Sequence, residues 1–142
     1  MKSRFVAVAL VASVAAVVAF AGSSIAQIKV GKSRPLTTKQ LMAGNIKPNT
    51  TSLGTLLQGS GPADDAGWSN AATQAALLNE STYTMMDDGR CPDQTWADAC
   101  MTMRKSSVTI LEKVAAKDAA GAREAFTAFT GGCKACHTAH KK

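Results

Sequence analysis

The chain has 142 residues and a formal net charge of +6 at neutral pH. After residue 26 it keeps 14 basic and 10 acidic side chains, a net charge of +4, together with five aromatic residues. A charge this small, without a basic run, argues against binding to nucleic acid. It is better explained as a solvated surface that keeps the protein soluble.

Residues 1–26 have the pattern of a secretory signal peptide. Two basic residues near the start precede an apolar stretch at 5–21, and Ser-Ile-Ala at 24–26 supplies the small residues of a cleavage site. An uncleaved membrane anchor is the alternative, but an anchor usually needs about 20 apolar residues. We therefore expect an exported, periplasmic protein that forms one domain from residues 27–142, without stable membrane insertion after cleavage.

Two amphipathic helices are predicted in the first half of this domain. The first covers residues 37–58, and either Thr37 or Thr38 would serve as its N-cap. Pro48 lies inside this segment and is expected to kink or break it. The second covers residues 63–86, where apolar and small side chains recur every three or four positions.

Two more helices are predicted in the second half. The third covers residues 92–117, with Pro92 in its first turn, and the fourth runs from an N-cap at Asp118 almost to the last residue. The apolar face of the fourth helix is formed by Ala122, Phe126, Phe129, Cys133 and Cys136. Four such helices with short connections predict an all-α fold, an antiparallel up-down four-helix bundle.

The Cys-x-x-Cys-His sequence at residues 133–137 is the attachment sequence of a c-type haem. Two thiols three residues apart lie on one helix face, where each can form a thioether with a haem vinyl group, and the next imidazole can coordinate the iron. The expected cofactor is therefore one covalent haem c inside the bundle. Cys133 and Cys136 would attach it, and His137 would be the proximal iron ligand.

Two other sites would use the same residues. A redox disulfide of the thioredoxin type expects a neighbouring βαβ unit, and no strand pattern occurs here. A zinc site made of Cys133, Cys136, His137 and His140 would place four ligands within eight residues. Zinc sites normally take their ligands from two separated segments, so haem attachment is the favoured interpretation.

Two glycines and a second histidine lie next to this motif. Gly131 and Gly132 lie inside the last helix, where each costs roughly 1 kcal/mol relative to alanine. We expect them to allow a close approach of the backbone to the haem, with a local kink as the alternative. His140 follows His137 by three residues on the same helix, and we expect it on the surface, with a role behind the metal ligand as the minor alternative.

The remaining cysteines, Cys91 and Cys100, are nine residues apart. Along one straight helix this spacing would be about 13 Å, too far for a disulfide. If Cys91 lies in the loop before Pro92, the chain can fold back and form the bond. We expect an intramolecular disulfide with a stabilising role; two free thiols or a bridge between protomers are the alternatives.

The C-terminal part of the chain, residues 96–141, resembles the cytochrome c-prime family, the class II c-type cytochromes. The resemblance rests on Lys-Asp-Ala-Ala at residues 117–120, on Phe126 and Phe129, and on the haem-attachment sequence at 133–137. It extends over most of the predicted domain, but only this C-terminal third is specific. The attachment sequence also lies near the end of the chain, whereas in the commoner class of small cytochrome c it lies near the beginning.

In the first helix, the Leu-Met pair at residues 41–42 is similar to the family's Leu-Met or Val-Met position on the distal side of the haem. Two positions depart from the family pattern. His140 stands where an aromatic residue is usual, and Thr38, followed by Lys39, stands where many members have an arginine that pairs with a propionate.

The resemblance implies one of two functions, according to the role of Met42. If its sulfur is the sixth iron ligand, the protein resembles the electron-carrying branch of the family and exchanges electrons with redox partner proteins. If Met42 only packs over the haem, the iron is five-coordinate and binds a small gas, nitric oxide or carbon monoxide. Family members often dimerise through the first two helices, so a homodimer is allowed. No catalytic set is recognisable in the sequence, and we expect no enzyme activity.

Overall fold

The structure is a computed structural model that describes residues 31–141. The predicted signal peptide, residues 1–26, lies outside the described residues. The described part is all-helical, without β-strands. In chain order it contains α1 (Thr38–Leu41), a π-helical turn (Met42–Ile46), α2 (Lys47–Leu56), α3 (Asp65–Met86), α4 (Gln94–Ala115) and α5 (Ala119–His140). Within residues 31–141, no helix has both the length and the apolar character needed to cross a bilayer.

The first helical segment, residues 38–56, has Thr37 as its N-cap, one of the two predicted caps. The Thr37 hydroxyl accepts a hydrogen bond from the backbone N–H of Gln40 at 3.1 Å. In return, the Gln40 side chain accepts from the backbone N–H of Thr37 at 2.9 Å. This reciprocal pair is a capping box, which satisfies two N–H groups that the first turn would leave without partners.

The helix does not break at Pro48, because the π-helical turn precedes the proline and the helix continues as α2. The kink, the other predicted outcome, stays a prediction. At the end of this turn the backbone N–H of Lys47 donates to the carbonyl of Met42, five residues earlier. In a regular α-helix the proline ring clashes with the carbonyl four residues back, which here is Gly44. The wider π turn accommodates the ring, and no break is needed.

The three long helices each begin after an aspartate N-cap. In each case the carboxylate accepts a hydrogen bond from the backbone N–H three residues later, which satisfies one free donor of the first turn. The pairs are Asp64 with Gly67 at 2.8 Å, Asp93 with Trp96 at 3.0 Å and Asp118 with Gly121 at 2.8 Å. The predicted cap at Asp118 is confirmed. Pro92, expected in the first turn of its helix, instead precedes the cap at Asp93.

Successive helices pack against one another, with α4 in contact with both α3 and α5. The last helix also returns to the first segment: Arg123 donates to the carbonyl of Leu57 at 3.2 Å, and the Phe126 ring packs over Gly54. The enclosed core is apolar, and its largest fully buried apolar side chains are Leu53, Leu57, Leu78, Met85, Trp96, Ile110 and Phe129. This arrangement is compatible with a helical bundle.

Gly132 lies where α5 closely approaches α4. A Cβ atom placed there would lie 2.8 Å from Cγ of Met103 and 3.0 Å from the carbonyl oxygen of Ala99. A Cβ atom on the neighbouring Gly131 would have no atom within 4 Å. The backbone of Gly132 therefore closely approaches α4, and the expected approach of the glycines to a haem stays a prediction.

We expect Gly132→Ala and Gly131→Ala to change stability in opposite directions. The first forces a methyl group into the α4 backbone, and overpacking of this kind costs about 1–3 kcal/mol. The second fills open space inside a helix, where alanine is favoured over glycine by about 1 kcal/mol. Urea unfolding followed by circular dichroism measures both free energies of unfolding. Equal effects from the two substitutions would contradict the proposed crossing.

The Asp118 cap predicts a pH-dependent contribution to stability. The N–H of Gly121, followed by the ammonium group of Lys113 at 3.1 Å, lowers the pKa of Asp118. A carboxyl with a lowered folded-state pKa stabilises the fold above its unfolded pKa of about 3.9, and this contribution is lost as the pH falls through the folded-state value.

Wild type should therefore melt at a higher temperature than Asp118→Asn at pH 7, and the difference should shrink in acid. Thermal unfolding between pH 7 and pH 2 measures this difference, with Glu80→Gln, an exposed carboxyl, as the control. A difference that does not change with pH would show that the charge of Asp118 has no role.

Candidate functional site

A cavity of about 540 Å³ opens between the first helical segment and the neighbouring ends of α4 and α5. Four residues singled out from the sequence line it: Met42, Cys133, Cys136 and His137. Met42 begins the π-helical turn, and the other three lie in the last turns of α5. Residues that are far apart in the sequence are thus brought to one cavity.

The α5 wall of this cavity carries the Cys-x-x-Cys-His sequence. Cys136 is buried, Cys133 is half-buried and His137 is exposed at the mouth. Three residues on a helix correspond to slightly less than one turn, so the two thiols lie on the same side of α5. The adjacent His137 continues around the helix toward solvent.

The opposite wall is built from the π-helical turn. Met42 is half-buried there, Ile46 is buried, and Ala43 also lines the cavity. A π turn inserts an extra residue into the helix, which changes the direction of the side chains on either side of it, and such turns frequently occur at functional sites. The turn places Met42 and Ile46 on the same cavity.

The rim of the cavity is basic. Lys39, Lys47 and Lys141 line it, and the lining contains no aspartate or glutamate. The hydroxyl of Thr50, also in the lining, is buried and has no hydrogen-bond partner among the described residues. An apolar ligand with anionic groups at one edge would suit this combination, because the lysines and the hydroxyl can bind carboxylates.

His140 is not on the surface as we expected, but is only 8% exposed and lines the cavity. Its ring meets Trp96 edge-on, with 5.4 Å between the ring centroids. Its Nε2 atom lies 3.4 Å from a carboxylate oxygen of Asp93. The sequence did contain a signal for this burial, since His140 follows Cys136 by four residues and so continues the apolar face of α5.

Trp96, which the sequence did not assign to the site, is a buried residue of the cavity lining. It is 2% exposed, and its indole N–H donates to the backbone carbonyl of Met85 at 2.9 Å. This hydrogen bond satisfies the buried donor and fixes the ring against α3. The end of α5 packs on a rigid support as a result.

The two thiols of the motif lack the lowered pKa that is typical of a catalytic redox disulfide. Burial raises the pKa of Cys133 to about 11. Burial, and then the neighbouring Cys133, raise the pKa of Cys136 to about 11. Reactive cysteines have lowered pKa values and often lie at helix N-termini, whereas these two lie near the C-terminal end of α5, where the helix dipole disfavours a thiolate. Neutral thiols therefore predominate at neutral pH.

His137 is biased toward its neutral form. Partial desolvation at the cavity mouth, and then the positive charge of Lys141, lower the pKa of this imidazole below its ordinary value. The neutral imidazole is the form that binds a metal ion, through a free ring nitrogen. Within residues 31–141, no group of three or more His, Cys, Asp or Glu side chains is arranged to hold a metal ion.

The two remaining cysteines lie close to the same region. Cys91 is half-buried in the turn before α4, outside the helix, and Cys100 is fully buried within α4. All four cysteines are free thiols in the structure. The disulfide between Cys91 and Cys100 stays a prediction.

In comparisons with known proteins, no protein family, curated protein or solved structure matched the chain. The resemblance to the cytochrome c-prime family therefore rests on the residues of this sequence alone.

We expect His140→Ala to lower the free energy of unfolding. The substitution removes an aromatic pair that contributes about 0.5–1.5 kcal/mol beyond its buried area, and it opens a space beside Trp96. Thr138→Ala is the matched control on an exposed position of the same turn. Urea unfolding measures the stability, and tryptophan fluorescence in a Trp68→Phe background reports the exposure of Trp96. Equal stability of the two variants would contradict a structural role for His140.

Proposed function

We propose that the protein is a monohaem c-type cytochrome that transfers electrons in the periplasm. The observation that carries this proposal is the meeting of the Cys-x-x-Cys-His sequence on α5 with Met42 of the first helical segment at one cavity. The motif is the one to which a c-type haem is covalently attached, and the cavity offers space for that haem. Its volume of about 540 Å³ lies within the range of about 300–1,000 Å³ that ligand pockets occupy.

The residues that line the cavity fit a haem c. Cys133 and Cys136 would attach the vinyl groups through thioether bonds, and His137 would coordinate the iron from α5. Met42, on the facing wall, is the candidate for the sixth ligand. A bound haem would supply a one-electron redox couple, whose potential histidine and methionine ligation raises.

The basic rim and Thr50 fit the propionates of the haem. Haem has two propionates, and a cavity edge with Lys39, Lys47 and Lys141 and without carboxylates offers them charge-assisted hydrogen bonds. Lys39 follows Thr38, the position at which the cytochrome c-prime family often has an arginine. A lysine beside that position would supply the missing charge.

The fold proposed for the holoprotein is an antiparallel up-down four-helix bundle around the haem. The connections between α3, α4 and α5 are short, and short connections favour antiparallel neighbours. Hydrogen bonds and packing between α5 and the first helical segment close the arrangement.

The alternative function is a five-coordinate binder of nitric oxide or carbon monoxide. It is supported by the surroundings of Met42, which lines the cavity between apolar Ala43 and Ile46. A methionine in such surroundings can serve as packing rather than as a ligand. A gas would then be bound on the π-turn side of the cavity.

A reduced-minus-oxidised visible spectrum of the exported protein tests the proposal. Electron transfer through six-coordinate iron predicts sharp α and β bands and no change on addition of carbon monoxide. Met42→Leu should then give a high-spin spectrum that responds to carbon monoxide, because it keeps the apolar volume and removes the sulfur. Met101→Leu is the control, since Met101 is 40% exposed on α4 and does not line the cavity.

Two results would change the conclusion. A wild-type spectrum that is already high-spin and responds to carbon monoxide would select the gas-binding alternative. Protein matured together with haem that shows no Soret band would refute both functions.

A further inference from the structure

Two contacts define the register of α4 against α5 beside the cavity. The sulfur atoms of Met103 and Cys133 are 3.4 Å apart, and the rings of Trp96 and His140 are 5.4 Å apart. The two contacts are seven residues apart on each helix, or about two turns. From one contact to the other, the residue numbers rise along α4 and fall along α5. The two helices therefore run antiparallel here, with matched positions.

Cys100 and Cys136 occupy the matched positions between these two contacts. Cys100 follows Trp96 by four residues and precedes Met103 by three. Cys136 precedes His140 by four and follows Cys133 by three, so it occupies the same place on α5. Both side chains are buried, Cys100 with no exposed surface and Cys136 with 3%. The register thus places two thiols opposite each other across the helix interface.

The dimensions of packed helices allow these thiols to bond. Axes of packed helices are about 8–10 Å apart and Cα atoms lie about 2.3 Å from each axis, so directly facing Cα atoms are about 3–5 Å apart. A disulfide needs a Cα separation of about 4.4–6.8 Å. Gly132, one turn before Cys136, keeps the two helices at close range.

The electrostatics of Cys100 agree with this proximity. Burial, and then the neighbouring Cys136 thiol, raise the pKa of Cys100 to about 12, with a smaller effect from Cys91. Cys136 also lines the cavity, whereas Cys100 does not. The cavity is therefore in contact with Cys136 and not with Cys100.

We propose that Cys100 and Cys136 form a disulfide in the haem-free chain and that this bond blocks haem attachment at Cys136. Because Cys100 has no exposed surface in the fold, the oxidation takes place while the chain folds. Each thiol loses one hydrogen atom, and the oxidant is a disulfide such as oxidised glutathione, which is reduced to two thiols. Thioether formation needs the free thiol of Cys136, so the bridge and the attachment exclude each other. The bridge itself is independent of the proposed function, and only its consequence for haem rests on it.

Cys91 competes with Cys136 for a disulfide bond to Cys100. It lies half-buried just before α4 and is the other predicted partner of Cys100. A bond between Cys91 and Cys100 would occupy Cys100 and leave Cys136 free for haem. The partner that Cys100 takes under oxidising conditions thus decides whether the site can be loaded.

The first experiment maps the bridges directly. The full-length chain is exported in the presence of oxidised glutathione, free thiols are blocked with N-ethylmaleimide, and the haem-free fraction is analysed by peptide mass mapping. In Cys91→Ser, which removes the competitor, we expect a bridge between the peptides that contain Cys100 and Cys136. Recovery of Cys100 only as the blocked thiol, or of a Cys133–Cys136 bridge alone, would overturn the proposal.

The second experiment measures the fraction of each exported variant that carries covalent haem. Cys91→Ser should reduce this fraction at least twofold relative to wild type when oxidised glutathione is present. The double variant Cys91→Ser with Cys100→Ser should restore it, which mere destabilisation would not do. A double variant loaded no better than Cys91→Ser would overturn the block. If no variant carries haem, the proposed function fails, and the peptide mapping still decides whether the bridge exists.

Discussion

The close crossing of α4 and α5 at Gly132 is the constraint on which the rest of the site depends. A side chain at this position would collide with the backbone of Ala99 and with Met103. The absence of one lets the helices approach and sets their register. That register determines which faces of α5 are buried, and therefore that Cys136 lies inside while His137, the next residue, reaches the mouth of the cavity.

The second wall of the cavity has an independent origin, in the first helical segment. Its π-helical turn accommodates Pro48 without a break and places Met42 and Ile46 on the cavity. The site is therefore an interface between the two ends of the domain. Each wall is a helical segment, and only the meeting of the two walls forms a space suited to an apolar ligand with an anionic edge.

Burial also sets the chemistry of the sulfur atoms in this region. Desolvation raises the pKa of Cys133, Cys136 and Cys100, so thiol rather than thiolate is the main form at neutral pH. Such thiols differ from those of disulfide oxidoreductases, whose cysteines have lowered pKa values. The register that presents Cys136 to the cavity also places Cys100 behind it. The proposed haem attachment at Cys136 and the proposed disulfide between Cys100 and Cys136 would therefore exclude each other.

The sequence by itself determined the features that depend on near neighbours in the chain. The helical periodicity, the cap at Asp118 and the shared face of Cys133 and Cys136 involve residues three or four positions apart, so local spacing is enough to predict them. The first cap was narrowed to Thr37 or Thr38, and the structure selected Thr37. The haem and the family resemblance also come from the sequence, and they stay predictions.

Only the tertiary structure decided which surfaces meet. It placed Met42 on the same cavity as the motif, buried His140 against Trp96 and assigned the close approach of Gly132 to α4. It also showed a π-helical turn before Pro48, where the sequence predicted a kink or a break. None of these is contained in local spacing, because each depends on the packing of segments that are distant in the chain, and such packing overrides local preference.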